Sequence, residues 1–494
     1  MRRTVGKPGK LSTAMRAAWP VAVRQELWYD LVGAGTGHAM QRWVMAGSIH
    51  CLLLAGCAHT PKPLIGCDLP RTLLTVSPDS LASTADARAA VLKSPPNDFE
   101  RKLIESVEAK PPPLAGDAYD PARLLFISGG SERGAYGAGL LDQWRIRAGS
   151  LPSFQTVTGV STGALIGVTA FLRHTKRTVA SYTIHSEADI LDVKARSPLG
   201  IARKGAAATF APLRRWIGKK IDDKPGDGWL IGEMAAAADK KRRFLIGVTE
   251  LREGAAYAID MTELAQRWRT AALAEAAATA ATAATAPAAR AAAARAQRLV
   301  RQCFIEALVA SASVPGAVPP VYIDKAMYVD GGVMFGVFRA NEDSAMARIA
   351  AYSSARAFRI VNNPWNADVQ CPAATGPKIE TQATPCAAGP PHSWSIDDIG
   401  LRSIDLLTHS VYRFSTVRAG RSGDPPPAVI DGVDNHAFTF ADSPAAPPER
   451  LTCAQWRKRD NEDRPAPIEF HRRAMLCMID FGRSEMDLLQ WWRR

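Results

Sequence analysis

The sequence lacks several patterns that would assign it to a common class. Its eight cysteines include no C-x-x-C pair and no Cys/His cluster with zinc spacing, so we expect no metal and no cofactor. No basic run interleaved with aromatic residues indicates a nucleic-acid groove. The formal charge of +13 therefore indicates either affinity for an anionic lipid surface or a basic surface without a specific partner. Nothing in the sequence indicates an oligomeric state.

No comfortable membrane span is predicted at the N-terminus, although one apolar stretch occurs there. Arg42 precedes the apolar run Trp43 to Leu54, which is too short to span a bilayer. The run ends in Leu54-Ala55-Gly56-Cys57, which resembles the lipobox of a bacterial lipoprotein signal peptide. We expect residues 1–56 to be removed, Cys57 to be lipidated, and the protein to reside in the outer membrane of the cell envelope. A buried helix that ends in cysteine is the alternative.

Export changes how the remaining cysteines are interpreted. An even number of them follows Cys57, and an oxidising compartment permits disulfides. Cys371 and Cys386 bracket a loop rich in Pro, Ala, Thr and Gly and are the pair that we favour. Cys453 with Cys477 is the second choice.

The turn Gly159-Val160-Ser161-Thr162-Gly163 is the strongest local signal in the sequence. A β-rich run, residues 154–158, leads into it, and a small apolar helical run, residues 164–172, leaves it. Strand, G-x-S-x-G and helix predict a nucleophile elbow that exposes the Ser161 hydroxyl, with Gly159 and Gly163 keeping side chains away. The motif alone fits a structural turn equally well.

A glycine-rich loop precedes that turn by about one β-α-β step. It follows the predicted strand Leu124 to Ser128 and contains Gly129, Gly130, Ser131, Arg133 and Gly134 before a helix that begins near Ala135. Free backbone N–H groups in such a loop bind anions. A nucleotide phosphate loop would need a G-K-S/T or G-x-G-x-x-G pattern, and neither is present. An oxyanion hole is the interpretation that remains.

A third stretch adds a carboxylate. A helix from Phe304 is stopped at Pro315, and a short strand, Met327 to Val329, ends in Asp330-Gly331-Gly332. Alone, D-G-G is more often a turn. We expect Asp330 to approach Ser161, because the ends of parallel strands meet at one edge of a sheet.

Together the three stretches resemble the patatin-like phospholipase family over about residues 122–340. Gly129 to Gly134 resembles its G-G-G-x-R/K-G loop, Gly159 to Gly163 its G-x-S-x-G, and Asp330 to Gly332 its D-G-G/A. The resemblance implies an α/β protein, with a three-layer α/β/α fold and a mainly parallel central sheet. One departure is Ser131 in place of the third glycine. The hole should survive if the backbone angle there does not require glycine.

The resemblance also implies roles for the residues. Ser161 would attack an ester carbonyl, Asp330 would take its proton, and backbone N–H groups around Gly130 and Ser131 would stabilise the oxyanion. Arg133 would hold the loop or a lipid phosphate. The expected function is a serine lipid acyl hydrolase that cleaves phospholipid or other acyl-ester lipids.

Four segments are expected along the chain. Residues 1–56 are the extension and signal peptide, and 57–121 a tether with a helical segment. The catalytic core spans 122–362 and includes an alanine-rich helical insertion at 271–297, which Pro287 would break or kink. Residues 363–494 would pack on the core.

Two alternatives remain open. A Ser-His-Asp triad would pair Ser161 with one of the histidines that follow it: His174, His185, His392, His409, His436 and His471. None of these lies in a recognisable motif. A non-catalytic envelope lipoprotein that keeps the fold as a scaffold is the second alternative.

Overall fold

The structure is a computed structural model. It describes residues 63–74, 95–109, 123–194, 206–281 (except 223 and 225–226), 285–339, 355–365, 370–372, 379–381, 396–420, 423–442 (except 432 and 434–437) and 449–493 (except 467–468). All of these belong to one compact unit, Thr60–Arg494. The predicted signal region and Cys57 lie outside the described residues.

Within the described residues, nine strands form one sheet and four more form two small ribbons. The strands are β1 (Arg71–Leu73), β2 (Arg123–Ile127), β3 (Thr156–Val160), β4 (Asp192–Val193), β5 (Ala208–Thr209), β6 (Arg243–Glu250), β7 (Ala255–Asp260), β8 (Val321–Ile323), β9 (Ala326–Asp330), β10 (Arg356–Val361), β11 (Gln370–Pro372), β12 (Ile379–Thr381) and β13 (Ala428–Val429). The ribbons are β4 with β5 and β11 with β12.

The helices alternate with these strands through the first half of the chain. They are α1 (Asp98–Glu108), α2 (Gly134–Ala148), α3 (Thr162–Phe171), α4 (Thr175–Ser181), α5 (Ala211–Lys220), α6 (Trp229–Asp239), α7 (Met261–Ala280), α8 (Ala286–Ser311), α9 (Ile396–Arg418), α10 (Cys453–Asp463) and α11 (Arg472–Leu489). No helix in the described part of the chain is both long and apolar enough to cross a membrane.

The main sheet has a parallel centre and antiparallel additions. Its order is β1-β7-β6-β3-β2-β10-β13, and the pairs from β6 to β13 are parallel. β7 and β9 run antiparallel to β6, and β1 and β8 extend them. The central strands β2, β3 and β6 are buried along their whole length, as parallel strands covered on both faces must be.

Both faces of this sheet are covered by helices. Because side chains alternate along a strand, Leu125 packs into one hydrophobic cluster and Phe126 into another on the opposite face. The first cluster includes Trp144 of α2 and Leu308 of α8. The second face is covered by α1, which contributes Val107. The predicted three-layer α/β/α fold with a mainly parallel sheet is confirmed.

The alanine-rich segment is helical and largely exposed, as predicted, but Pro287 does not break a helix. Helix α7 ends at Ala280, and Pro287 lies in the first turn of α8. Proline fits that position, because the first N–H groups of a helix have no partner within it. The interruption therefore precedes the proline.

The segment before residue 122 is more than a tether. Residues 71–73 add β1 to the edge of the sheet, and α1 begins with Asn97 as its N-cap in a capping box with Glu100. Phe99 and Leu103 of α1 are buried against the sheet. The sequence predicts a helix here but not the strand.

Two disulfides join distant parts of the described chain. Cys453–Cys477 connects α10 with α11 and confirms the second choice made from the sequence. Cys67–Cys303 connects the N-terminal segment with α8 across 236 positions and was not predicted. Cys386 lies outside the described residues, so the Cys371–Cys386 pairing stays a prediction.

Candidate active site

β3 and β9 meet end to end along one edge of β6. β7 occupies the opposite edge of β6, so β3 and β9 share the remaining one. β3 ends with Val160 opposite Gly247, and β9 arrives from the other direction and ends with Asp330 opposite Val248. Ser161, which follows Val160, therefore lies beside Asp330. The expectation that parallel strands bring the two together was wrong, since β9 is antiparallel and the two chain ends converge head to head.

Ser161 occupies a strained turn at this junction. Its backbone angles, φ 54° and ψ −124°, lie outside the regions that a serine ordinarily adopts. Its N–H donates to Ser311 Oγ at 3.0 Å, and that hydroxyl donates to the Gly247 carbonyl at 2.7 Å. Ser311 lies in the stretch Ala310 to Pro315, which resembles the A-S-x-x-x-P helix end of the patatin-like phospholipase family but suggests no function for the side chain. The structure shows that it joins the end of α8 to Ser161 and to β6.

The two elbow glycines permit close contact of backbones. A Cβ atom at Gly163 would lie 2.3 Å from the Ile127 carbonyl oxygen, and one at Gly159 would lie 2.4 Å from the Gly163 oxygen. Larger residues would push α3 away from β2 and β3. This is the arrangement that the G-x-S-x-G motif predicts.

Asp330 is a buried carboxylate with one oxygen bonded to backbone. Its Oδ1 accepts a hydrogen bond from the Gly332 N–H at 2.6 Å. Its Oδ2 is buried and, among the described residues, has no partner with full hydrogen-bond geometry. Burial raises the pKa of Asp330 to about 6, and the approach of the Ser161 hydroxyl and the Gly332 N–H partly opposes this. Hence Ser161 faces the carboxylate closely but without the alignment of a complete hydrogen bond, as is common in unliganded sites.

The glycine-rich loop supplies free N–H groups next to Ser161. Gly130 and Ser131 lie between β2 and a short 3₁₀ turn, Ser131–Arg133, and both face the cavity that contains Ser161. Among the described residues, neither backbone N–H donates a hydrogen bond. Gly134 begins α2, and Gly129 lies against Ser161 and Tyr412, as a Cβ atom added there would meet both side chains. This loop fits the predicted oxyanion hole.

Ser131 does adopt a backbone conformation that favours glycine. Its φ is 50°, and that of Gly130 is 142°. Glycine is favoured at this angle but is not required, because serine can adopt the left-handed region at a cost. A serine in this region costs about 1–2 kcal/mol, which the surrounding structure must offset.

Part of that support comes from the end of β10. Asn362 is fully buried, its side-chain amide donates to the Ser128 carbonyl at 2.9 Å, and its Oδ1 accepts from the Gly137 N–H at 3.1 Å. It thus fixes the loop on both sides. The neighbouring Asn363 lies 3.5 Å, through its Oδ1, from Nη1 of Arg133, whose side chain lines the cavity.

Glu132 anchors the same loop to the C-terminal helices. Its side chain is 1% exposed. Oε1 accepts from Arg457 Nε at 2.9 Å, and Oε2 accepts from the His471 N–H at 2.7 Å with His471 Nδ1 at 3.0 Å. Burial opposes ionisation, but these hydrogen bonds and the Arg457 charge lower the pKa of Glu132 to about 2. The loop is therefore held by a buried carboxylate that stays ionised.

Helix α9 places Tyr412 into the site. Cβ atoms added at Gly129 and Gly332 would lie 2.2 Å and 2.9 Å from its hydroxyl. The phenol therefore lies between the glycine-rich loop and the D-G-G turn. Burial, together with the nearby Asp330 charge, raises the pKa of Tyr412. The tyrosine therefore stays neutral. The sequence offered no motif from which this residue could be found.

A cavity of about 610 Å³ opens above Ser161 and Asp330. Its walls are mostly apolar, and they come from the segment before α5, from α5 and from α9: Ile184, Leu191, Phe210, Leu213, Trp216, Ile404 and Leu407. Apolar walls with a few converging polar groups are typical of a small-molecule site.

Three of the four described candidate histidines have other side-chain partners. His174 bonds to Glu233 at 2.7 Å, and His471 bonds to Glu132. His409 lines the cavity, but its Nδ1 is engaged by Asp405, 2.9 Å from the carbonyl and 3.2 Å from the carboxylate. His392 and His436 lie outside the described residues. Among those described, no histidine forms a hydrogen bond with Ser161.

Asp330→Asn should stabilise the fold, and the gain should depend on pH. A buried carboxyl whose folded pKa is raised to about 6 favours the folded state only while protonated. We expect no gain below about pH 4, a rise between about pH 4 and 6, and a plateau of up to about 3 kcal/mol above. Urea unfolding from pH 4 to 8 measures this. The exposed Asp431→Asn is the control, and a pH-independent or negative effect at Asp330 would contradict the burial argument.

Comparison with known proteins identifies the domain that carries this site. Residues 125–339 match the family model described as patatin-like phospholipase. The match includes the loop, the elbow, Ser311 and the D-G-G turn. A search of curated proteins found no match. Residues 125–339 therefore form a domain of the patatin-like phospholipase family, which is a family of hydrolases that act on lipid esters.

Proposed function

We propose that the protein cleaves carboxylic ester bonds of membrane lipids, as a phospholipase A or esterase, through a Ser161–Asp330 dyad. The observation that carries this proposal is the junction of β3 and β9, where a strained serine faces a buried carboxylate oxygen that lacks a full hydrogen-bond partner. The mostly apolar cavity above it suits an acyl chain.

In the first half of the reaction, Asp330 Oδ2 takes the proton of the Ser161 hydroxyl as Oγ attacks the ester carbonyl. A carboxylate with an ordinary pKa near 3.9 would be a weak base, and the raised pKa of Asp330 improves the match. The N–H groups of Gly130 and Ser131 stabilise the oxyanion. The C–O bond to the alcohol then breaks, and Asp330 returns the proton to the leaving alkoxide.

In the second half, a water molecule takes the place of the released alcohol. Asp330 takes one proton from this water as its oxygen attacks the acyl carbon. The same N–H groups stabilise the second oxyanion. Collapse releases the fatty acid and returns the proton to Ser161. Tyr412 stays neutral throughout and fills the space between the two loops.

The triad alternative has one specific observation in its favour, the His409–Asp405 pair in the same cavity. The close approach of the Ser161 hydroxyl to Asp330 favours the dyad, since among the described residues no histidine forms a hydrogen bond with Ser161. A non-catalytic scaffold would have no need for a buried carboxylate with a raised pKa.

Ser161→Ala and Asp330→Asn should each lower kcat on p-nitrophenyl esters and phospholipids by about 10³-fold or more. Asn keeps the shape of Asp but does not accept the proton. His409→Ala should retain activity. Purified variants are compared after circular dichroism has established that they are folded. A folded His409→Ala protein as inactive as Ser161→Ala, with Asp330→Asn active, would replace the dyad by the triad.

The pH dependence provides an independent check of the base. Because Asp330 acts only when deprotonated, kcat/KM on a soluble ester should fall about tenfold per pH unit below about pH 6 and be level above it. The hydrogen bond that His409 donates to the Asp405 carboxylate raises the pKa of His409 above its ordinary value, so a histidine base would give a midpoint above about 6.5. His409→Gln should leave the midpoint unchanged, and a midpoint that moves in this variant would exclude Asp330 as the base.

We also propose that Cys57 is lipidated and holds the mature protein at the outer membrane. The sequence Leu54-Ala55-Gly56-Cys57 supports this, and two disulfides in the described chain fit export to an oxidising compartment.

Mass spectrometry of the N-terminal peptide from the native protein tests the anchor. We expect a diacylated Cys57 as the first residue, and Cys57→Ser should release the protein from the membrane fraction. An unmodified Cys57 within a longer chain would refute the proposal.

A further inference from the structure

Helix α9 buries one face in the protein and presents large apolar side chains on the other. Its inner face buries His409, Tyr412, Ser415 and Thr416. On its outer face, large apolar side chains are exposed to solvent. We call this set the apolar ridge, and it consists of Ile404, Leu406, Leu407, Phe414 and Val417.

The spacing along the helix keeps the ridge on one side, with the exposed Ser410 between Leu407 and Phe414. Positions 404, 407, 414 and 417 are separated by three or seven residues, which places them on neighbouring lines along one side of an α-helix. Isolated exposed apolar residues are normal, but a row of them on one helix marks an interaction surface.

The ridge leads directly into the cavity above Ser161. Ile404 and Leu407 belong both to the ridge and to the cavity wall. Val314 and Val333 are also exposed and line the cavity. Exposed apolar side chains therefore lie at the cavity wall in three separate segments, where they suit the entry of an acyl chain.

The charges beside the ridge indicate what it contacts. In the described part of α9, residues 402–418, the other exposed side chains are two serines, Ser403 and Ser410, and two arginines, Arg413 and Arg418. The one acidic side chain of residues 402–418, Asp405, is 37% exposed, and its charge is balanced by ion pairs with Arg402 and His409. Apolar residues flanked by arginine are typical of a helix that lies in the interface of an anionic bilayer.

We propose that the apolar ridge docks the enzyme on the surface of a phospholipid bilayer that contains anionic lipids, with the cavity mouth facing the membrane. This deepens the function proposed above and rests on it for the substrate. The ridge is a convex row that inserts among lipid headgroups, and its position at the cavity rim gives docking a direct consequence for catalysis.

Vesicle binding tests docking separately from catalysis. The full chain is prepared with Ser161→Ala to keep the lipids intact and with Cys57→Ser so that no anchor contributes. Flotation with vesicles of phosphatidylcholine, alone or mixed with phosphatidylglycerol, measures the bound fraction. We expect binding to the mixed vesicles, weakened by Arg413→Gln.

The decisive variant is Phe414→Ser/Val417→Ser, since neither residue lines the cavity. Its matched control is Leu488→Ser/Leu273→Ser: the side chains are 74% and 61% exposed in the ridge pair and 76% and 65% in the control pair. The ridge variant should bind vesicles at least about tenfold more weakly than the parent protein, and the control variant should bind as the parent does.

Activity is then measured with Ser161 restored. The ridge variant should lose phospholipid hydrolysis in vesicles in proportion to its binding and keep full turnover of a soluble p-nitrophenyl ester. If no ester is cleaved by any form, the proposed function fails while the vesicle result still decides docking.

Equal vesicle binding by the ridge and control variants would overturn the proposal, as would a wild-type ridge that binds no vesicle. Light scattering of the same proteins tests the alternative that the ridge binds a second copy of the chain. Self-association that is lost only in the ridge variant, with vesicle binding unchanged, would assign the ridge to a second copy of the chain and overturn lipid docking.

Discussion

The whole site depends on β6 being longer than β3. The three residues by which β6 extends beyond the paired end of β3 give β9 an edge to pair with, and that pairing stops at Asp330. Backbone hydrogen bonds thus set the distance between Ser161 and Asp330, the proposed nucleophile and base, with no need for a long or flexible side chain. Gly331 completes the junction, because a Cβ atom there would lie 2.5 Å from the Gly247 carbonyl oxygen. A site built into the sheet is held as rigidly as the sheet itself.

The candidate site extends well past the region that matches the family. Asn362 and Tyr412 lie beyond residue 339, as do Arg457 and His471, yet all of them contact the glycine-rich loop or the space next to Asp330. The disulfide between α10 and α11 joins the two helices that supply the partners of Glu132. The C-terminal third of the chain therefore helps to position the glycine-rich loop and Asp330. Truncation at the end of the matched region would remove these contacts.

The sequence predicted the fold class and the residues at the junction, because short motifs encode strained turns and close backbone contacts directly. It failed where the determinant is a pairing between distant segments. β9 reads as an ordinary strand, and only its partner reveals that it is antiparallel. Cys67 and Cys303 are 236 positions apart, and nothing local marks them as a pair. Tyr412 and Glu132 act through contacts with remote elements, so composition and spacing give no signal for them.

The disulfide Cys67–Cys303 also limits how far the enzyme can move. It fixes Cys67 to α8, the helix whose last residue, Ser311, bonds to the nucleophile's backbone. Only ten positions separate Cys67 from Cys57. If Cys57 carries the lipid that we propose, a fully extended leash of that length reaches about 35 Å. This short tether would keep Cys67 close to the lipidated residue. Each molecule would therefore act only on lipids near its own anchor, in the same leaflet.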